Sequence, residues 1–155
     1  MIKLLAIDMD GTCLDQRSRM MDRTLDVLRK AAKAGITVVP CTGRNLGCIP
    51  HRLAAGVLRE SKTEDDEKNK DLFRYVITSN GAMVTDVKEK KTLFRALIKK
   101  EDALSILSDC RKEKFGIAAH VRHRYFAQGK LFTSAGRIVY GKDAAAVCCV
   151  RNMEE

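Results

Sequence analysis

Two short apolar runs separated by one helical segment constrain the fold of this chain more than any other feature. The first run, Ile2 to Ile7, has no alternating polar residues and predicts a strand that is buried on both faces. A segment of helical periodicity then begins near Asp22 and stops at Gly35. Ile36 to Pro40 predicts a second buried strand. A strand, a helix and a strand joined by short turns form a right-handed βαβ unit with parallel strands, so the predicted fold class is α/β.

The rest of the first 85 residues extends this sheet. Leu46 to Leu58 is predicted to be helical, and Glu60 to Asp71 to be a charged, solvated loop. Tyr75 to Thr78 predicts a third strand. Met83 then begins a predicted hairpin whose turn lies near Lys88 to Lys91. The edge of the sheet is expected at about that point.

The pattern changes in residues 86–155, which are predicted to form a second, smaller domain beside a core of residues 1–85. A helix is expected from Glu101 to Lys114, and short strands are expected near Ile117 and Ile138. The apolar run Ala144 to Val150 ends this region. Three apolar residues of the helix are expected to be buried: Leu104, Ile106 and Leu107.

The charge of the chain is positive but spread out. The net charge is +9, with an excess of +4 in residues 1–60, +3 in 61–100 and +2 in 101–155. Only three tyrosines and five phenylalanines are present, so no aromatic residues alternate with the basic ones as in a nucleic-acid platform. No apolar run is long enough for a membrane span or a signal peptide, and the predicted location is the cytoplasm.

The six cysteines do not form a recognisable metal or redox motif. No Cys-x-x-Cys occurs, and Cys41, Cys48 and His51 would lack a fourth zinc ligand. In the cytoplasm the cysteines should be reduced thiols. Cys13 follows Thr12 and Cys41 precedes Thr42, two threonines of the motifs described next. Either inert packing or an oxidation that inhibits the site is compatible with these positions.

The most specific motif is Asp8-Met9-Asp10-Gly11-Thr12, directly after the first strand. It is not a calcium loop, because the sixth and twelfth positions hold Cys13 and Arg19 instead of Gly and Glu. Residues two apart in an extended chain point to the same side, so Asp8 and Asp10 can face one centre. Two facing carboxylates repel each other unless a cation lies between them, and their oxygens suit Mg²⁺. Gly11 allows a tight turn whose amides can face a phosphate.

Two further strand ends carry polar residues. Thr42-Gly43-Arg44 follows the second strand, and Ser79-Asn80-Gly81 follows the third. Taken alone, Thr42 is also explained as a helix-capping residue, and Asn80-Gly81 as a hairpin turn. Arg44 either helps to hold a phosphate or is a solvated charge. Ligand groups in open α/β sheets lie at the carboxyl ends of the strands, and this favours a functional interpretation.

Together, the first strand with DMDGT, Thr42-Gly43-Arg44 and Ser79-Asn80-Gly81 resemble the haloacid dehalogenase superfamily, and most of all its Cof-type sugar-phosphate phosphatases. The resemblance implies a partial Rossmann-like parallel sheet with helices and a partial α+β cap over residues 86–155. It also implies a phosphatase that acts on a small phosphorylated substrate. No nucleic-acid or membrane partner is expected.

The resemblance further implies a role for each motif residue. Asp8 corresponds to the nucleophile that takes up the phosphoryl group as an aspartyl phosphate, and Asp10 to the general acid and base. Mg²⁺ would be held by the Asp8 carboxylate and the Asp10 main-chain carbonyl. Two substrate-binding pairs complete the implied site, one that binds the phosphoryl group and one that lines the substrate entrance: Thr42 with Gly43, and Asn80 with Gly81.

The chain departs from the family pattern after these motifs. The family completes its site with a lysine and with acidic residues in a Gly-Asp context, but no Gly-Asp dipeptide occurs here and no lysine can be assigned. The chain is therefore expected to end inside the cap and to be the N-terminal portion of a longer enzyme. Three functions stay open: a Mg²⁺-dependent phosphohydrolase, a phosphomutase, and a catalytically silent chain that associates through an exposed strand edge.

Overall fold

The computed structural model describes residues 2–121, 124–140 and 147–153, and these form two compact units. The first unit comprises Met1–Arg44 and Ile49–Arg95, and the second comprises Asn45–Cys48 and Ala96–Glu155. None of the described helices is both long enough and apolar enough to cross a membrane. The assignment of residues 1–85 as a core and 86–155 as a cap stays a prediction.

A five-stranded mixed sheet forms the centre of the first unit. The first three strands in spatial order are parallel to one another, and the last two pair antiparallel as a hairpin. This arrangement confirms the predicted α/β class. The strands, in both chain order and spatial order, are β1 (Leu4–Asp8), β2 (Thr37–Cys41), β3 (Tyr75–Thr78), β4 (Met83–Asp86) and β5 (Lys91–Arg95).

Helix α1 (Asp22–Lys33) connects β1 to β2. Its acidic first residue and its basic last turn complement the helix dipole, and Gly35 with φ +80° ends it. Leu25 and Leu28 are buried where the helix packs against β2. The predicted βαβ unit is therefore confirmed.

Strand β1 differs from the prediction of burial on both faces. It is an edge strand that pairs only with β2 among the described residues, and alternate side chains are exposed, with Leu4 57% exposed. By contrast, Val38 and Val39 in β2 are almost fully buried. An uninterrupted apolar run is compatible with either position, because the run cannot reveal whether a second neighbour is present.

The predicted helix over 46–58 is broken into shorter pieces. A 3₁₀ turn spans Leu46–Cys48, and helix α2 spans only His51–Ala54. Pro50 directly precedes α2, where proline is tolerated because its missing N–H removes no hydrogen bond within the helix. Gly56 has φ +77°, and a side chain there would overlap the main-chain oxygen of Asp66, so the chain turns instead of continuing as a helix.

The segment 60–71 is more ordered than a solvated loop. Thr63 and Asp66 form a reciprocal capping box at the start of helix α3 (Glu64–Glu67). Asp66 and Asn69 are buried, and the Asn69 amide donates to the main-chain oxygen of Arg52. The expectation of a fully solvated loop was therefore wrong for this inner face.

The described residues of the second unit form a three-stranded sheet and two α-helices, besides the 3₁₀ turn Leu46–Cys48. Helix α4 (Lys100–Lys112) buries none of its residues, so the predicted burial of Leu104 and Ile106 was wrong, and Leu107 is half-buried. The other elements are β6 (Ala118–Val121), β7 (Arg124–Gln128), helix α5 (Lys130–Tyr140) and β8 (Val147–Val150).

Strand β7 lies in the centre of that sheet, antiparallel to β6 and parallel to β8. The strand predicted near Ile117 is confirmed as β6, whereas Ile138 lies in α5 and not in a strand. A short apolar window fits either structure, and here the helical spacing extends over eleven residues. In the predicted apolar run Ala144 to Val150, residues 144–146 lie outside the described residues.

Candidate active site

The strand register brings the three polar motifs to one edge of the first unit's sheet. Asp8, the last residue of β1, pairs with Cys41, the last residue of β2, and Cys41 pairs with Ile77 near the end of β3. The residues that follow these positions lie at the carboxyl ends of three adjacent parallel strands. This is where open α/β sheets place their ligand groups.

The turn after β1 is built around the main-chain oxygen of Met9. This oxygen accepts hydrogen bonds from the amides of Thr12, Cys13 and Leu14, at 3.3, 2.9 and 2.9 Å. Gly11 has φ +77°, which a residue with a side chain adopts only at a cost. The buried Met9 side chain anchors the turn, so Asp8 and Asp10 both stay exposed at the strand end. The Thr12 hydroxyl lies 3.4 Å from the Asp8 carboxylate, a weak contact.

Asp10 is held by a buried arginine. The Arg44 Nε atom lies 2.9 Å from Asp10 Oδ2, and Nη2 lies 2.6 Å from Oδ1, which is a two-point ion pair. Arg44 is only 2% exposed, whereas the Asp10 side chain is 53% exposed. Arg44 Nη2 also donates to the Ser18 hydroxyl at 3.1 Å. Arg44 is therefore not a solvated charge, and its contacts fix the direction of the Asp10 carboxylate.

The loops after β2 and β3 are bonded to each other. The Ser79 amide donates to the Arg44 main-chain oxygen at 2.9 Å, and the Asn80 amide donates to the Thr42 main-chain oxygen at 3.2 Å. Asn80 Oδ1 lies so close to Gly43 that an added Cβ would be 2.6 Å from it. Glycine is thus the residue that allows this approach, and it makes Thr42, Gly43 and Asn80 neighbours.

The β3 loop also stores backbone strain. Ser79, Asn80 and Gly81 have φ angles of 52°, 55° and 88°, so three consecutive residues adopt left-handed conformations. Such conformations cost about 1–3 kcal/mol for a residue other than glycine and cluster at functional sites. The strain turns the exposed Asn80 back towards Gly43 at the end of the sheet.

The two cysteines beside the motifs are poor nucleophiles. Burial raises the pKa of the Cys13 thiol, and the negative charge of Asp8 raises it further. Burial likewise raises the pKa of the Cys41 thiol, again with a contribution from Asp8, although a backbone hydrogen bond opposes the shift. Since the thiolate is the reactive form, these values favour inert packing over oxidation at neutral pH. All six cysteines are free.

The described residues offer few metal ligands at the strand ends. Among them, no group of three or more histidine, cysteine, aspartate or glutamate side chains could hold a metal ion. Asp8 offers an exposed carboxylate, and Asp10 offers its main-chain oxygen while its carboxylate is bound to Arg44. Hard oxygen donors of this kind fit Mg²⁺, which commonly binds one or two carboxylates and keeps several waters.

Sequence reasoning named most of these residues but missed their connections. The structure brings Asp10 close to Arg44, and Thr42 and Gly43 close to Asn80. Ser18 and Thr12 had no assigned role. No sequence pattern predicts that an arginine will pair with a carboxylate 34 positions earlier, although the position of Arg44 directly after a strand-end Thr-Gly indicated a site residue.

Comparison with known proteins places this geometry in a family. Residues 5–140 match the family model of the haloacid dehalogenase-like hydrolases. The chain is 33% identical over 106 residues to the Bacillus subtilis protein named "Putative phosphatase YxeH", a match that covers 68% of this chain and 35% of that protein. It is 35% identical over 85 residues to the 5-amino-6-(5-phospho-D-ribitylamino)uracil phosphatase YcsE of Bacillus subtilis, covering 55% of this chain and 28% of that enzyme.

Solved structures agree on the fold. A haloacid dehalogenase-like hydrolase from Bacteroides thetaiotaomicron superposes with a TM-score of 0.76 at 16% sequence identity. The match covers 99% of this chain and 53% of that structure, so the chain spans about half of it. The chain belongs to the haloacid dehalogenase-like hydrolase family, and the earlier resemblance is thereby confirmed.

Proposed function

We propose that this chain carries the nucleophile-bearing part of a Mg²⁺-dependent phosphohydrolase that acts on a small phosphorylated metabolite. One observation carries the proposal. The register of β1, β2 and β3 puts the Asp8 and Asp10 carboxylates beside the bonded loops of Thr42 and Asn80. The curated relatives named above are called phosphatases, and YcsE is named for a phosphorylated metabolite. The predicted cytoplasmic location is part of this proposal.

Asp8 acts as the nucleophile in this proposal. Its carboxylate is exposed at the end of β1, so a phosphate ester can approach it in line. The carboxylate oxygen forms a bond to phosphorus while the bond from phosphorus to the leaving oxygen breaks, and an aspartyl phosphate results. Water then attacks this phosphorus, inorganic phosphate leaves and the Asp8 carboxylate is regenerated. Covalent catalysis divides one difficult displacement into two easier steps.

Asp10 moves the protons in both steps. It gives a proton to the leaving oxygen in the first step and takes one from water in the second. Proton transfer requires an accurate orientation, and the two-point contact from Arg44 fixes the carboxylate plane. When Asp10 carries the proton, the oxygen that holds it is released from Arg44 and faces the leaving oxygen, while the other oxygen keeps its contact with Arg44. We therefore assign Arg44 as a positioning residue for Asp10.

Thr42 and Asn80 bind the phosphoryl group and the substrate. The Thr42 hydroxyl oxygen accepts the Arg44 amide at 3.1 Å, and its own proton has no acceptor among the described residues. That proton is free to donate to a phosphoryl oxygen. Gly43 has no side chain that would overlap the Asn80 side chain, so the two loops can lie side by side. Asn80 and Gly81 line the substrate entrance. When bound by Asp8 and the Asp10 main-chain oxygen, Mg²⁺ would neutralise charge on the phosphoryl oxygens.

The test compares carboxamide variants of a longer version of the chain, one that also carries the family's lysine and Gly-Asp motifs, in a phosphatase assay with p-nitrophenyl phosphate. Phosphate release should require Mg²⁺ and should be abolished in Asp8→Asn, because an amide is a poor nucleophile. Asp10→Asn should retain more metal binding but lose turnover. Asp26→Asn is the matched control, since this exposed carboxylate on α1 is bonded to Arg29 and to no other side chain among the described residues. Full activity in Asp8→Asn would contradict the covalent mechanism.

Substitution of Arg44 tests its positioning role. Arg44→Lys keeps the positive charge but loses the planar two-point contact, so kcat should fall by up to about a hundredfold while KM changes little. A large rise in KM at unchanged kcat would show instead that Arg44 binds substrate directly.

The same assay distinguishes the catalytically silent alternative. The chain has no Gly-Asp dipeptide and no assigned lysine, so we expect the 155-residue chain by itself to turn over poorly. The exposed edge of β1 supports self-association in that case, which size-exclusion chromatography would detect. A monomer with ordinary phosphatase turnover would overturn this expectation. The phosphomutase alternative is favoured by no described contact.

A further inference from the structure

A second concave surface in the first unit lies at the opposite end of β3 from the candidate active site. The cavity has a volume of about 340 Å³. Its walls come from the segment that leads into β3 and from the turn between β4 and β5. The lining residues are Gly56, Val57, Lys70, Asp71, Phe73, Arg74, Val87, Lys88 and Lys90.

The charge of this lining is strongly unbalanced. Four cationic side chains face the cavity and only one carboxylate, that of Asp71, does so. Arg74 is already paired with Asp86 at 2.8 Å and lies 3.8 Å from Glu89. In the described part of the chain, the three lysines have no carboxylate within ion-pair distance. Three ammonium groups that line one concavity make its potential positive and favour an anion there, most strongly at low ionic strength.

The turn that presents two of these lysines is held firmly. The buried Asp86 carboxylate accepts the amides of Lys88 and Glu89, each at 3.1 Å, and the Arg74 Nε at 2.8 Å. Burial alone would raise the pKa of Asp86, but these hydrogen bonds outweigh it and lower the pKa below its usual value, so the carboxylate stays charged. Lys90 has φ +51°, a conformation that glycine would adopt without strain.

We propose that this cavity binds a small anion with two or more phosphate groups. Its volume falls in the range of about 300–1,000 Å³ typical of small-molecule pockets. Phosphate oxygens match the ammonium donors of the three lysines that line the cavity. Phe73 and Val87 are buried and supply the apolar part of the lining, together with Val57.

The site is separate from the proposed catalytic centre. Tyr75 pairs with Asp86 at the amino end of β3, and Ser79 begins the loop at its carboxyl end. Four residue steps of extended strand place these ends about 13 Å apart. Anion binding here therefore does not depend on Asp8, and the proposal stands or fails independently of the proposed function.

The test uses the full chain and tripolyphosphate as the probe, in the absence of Mg²⁺ and at about 0.15 M ionic strength, where weak surface attraction is screened. Titration calorimetry gives the affinity, and amide chemical shifts locate the site. The amides of Val57, Lys88 and Lys90 should move on binding, whereas those of Gly11 and Gly43 should not. Asp8→Asn should bind the probe as tightly as the wild-type chain.

Two substitutions separate binding from folding. Lys90→Gly relieves the left-handed strain, so it should fold at least as stably as the wild-type chain while its affinity falls roughly tenfold. Lys88→Gln should weaken binding to a similar degree. Lys3→Gln, which removes an exposed lysine outside the lining, is the matched control and should change the affinity less than about twofold.

Three results would overturn the proposal. Unchanged affinity in both lysine variants would remove the cavity as the site. Chemical shifts spread equally over all lysine-bearing surfaces would indicate non-specific attraction. Tighter binding of a single-stranded oligonucleotide than of tripolyphosphate, lost in the same variants, would assign the surface to nucleic acid instead.

Discussion

Helix α1 of the first unit and helix α4 of the second unit are similar in length but differ in burial. They contain 12 and 13 residues, and both carry apolar side chains at helical spacing. α1 buries Leu25 and Leu28 against β2, whereas α4 buries no residue and leaves Leu104 40% exposed. The comparison teaches that periodicity predicts a helix in both places, while burial depends on the surface that lies opposite.

Two strands of the first unit's sheet show the same contrast in burial. The central strand β2 buries three of its five residues, and the edge strand β5 buries none, including Leu93 and Phe94. A central strand has two neighbours that exclude water from its sides, and an edge strand has one. The contribution of an apolar residue to stability should therefore depend on how much of its surface the neighbouring strands bury, and less on its residue type.

The largest expected difference is between two leucine truncations. Leu25→Ala in α1 should lower the free energy of unfolding by about 3 kcal/mol, because it removes a fully buried side chain and leaves a cavity. Leu104→Ala in α4 should cost about 0.5 kcal/mol or less. Urea unfolding followed by circular dichroism measures both values. Equal losses of stability would show that Leu104 is buried in solution, and would contradict the difference in burial between α1 and α4.

A second test compares the loss of stability on replacing one glycine of each unit by alanine. The two new side chains would overlap different kinds of atom. Gly56→Ala in the first unit would overlap the main-chain oxygen of Asp66 at a positive φ, so it should cost about 3 kcal/mol. Gly116→Ala in the second unit would overlap the ring of Phe132. Phe132 is 43% exposed, so its ring has room to rotate away and the cost should be about 1 kcal/mol.

The same urea experiment checks the glycine pair. The double variant Gly116→Ala/Phe132→Ala should lose less stability than the sum of its single variants, because the overlap no longer exists. Additive losses, or a greater loss for Gly116→Ala than for Gly56→Ala, would contradict this explanation.

Lowering the pH should change the free energy of unfolding least of all. The effect should come mainly from carboxylates of the first unit. An Arg19 side-chain hydrogen bond lowers the pKa of Asp15, and the Lys62 amide lowers the pKa of Asp66. A folded-state pKa below the unfolded value of about 3.9 means that the unfolded chain binds more protons at low pH. The resulting stability is present above about pH 4 and is lost as the pH falls through the lowered folded values.

Urea midpoints measured between about pH 6 and 3 test the acid prediction. Asp66→Asn removes one titrating group and should flatten the pH dependence, since an amide oxygen can still accept the Lys62 and Thr63 amides. A steeper loss in Asp66→Asn would reverse the assigned sign.

Local patterns predicted the parts of the fold whose causes are local. The β1, α1 and β2 segments were found from runs of apolar residues, an acidic helix start and a glycine stop. The hairpin of β4 and β5 was found from the position of its turn. The helix predicted over 46–58 failed because Pro50 and Gly56 interrupt it, and the chain turns at Gly56 against residues ten positions away.

The sequence alone determined which residues stand at the strand ends. Asp8, Asp10, Thr42 and Asn80 follow short apolar runs, and an α/β topology places such positions on one edge of the sheet. Hydrophobic runs and turn residues act over a few neighbouring positions, so they can be read directly from the chain. The chemistry of the motif, two carboxylates two residues apart, is likewise a local property.

Only the tertiary structure decided how those residues contact one another. The pairing of Arg44 with Asp10 and the approach of Asn80 to Gly43 join residues 34 and 37 positions apart. The exposure of β1 and α4 and the burial of Arg44 depend on which surfaces are present to exclude water. Such contacts arise when separate segments pack together, and local propensity carries no information about the partner that each segment meets.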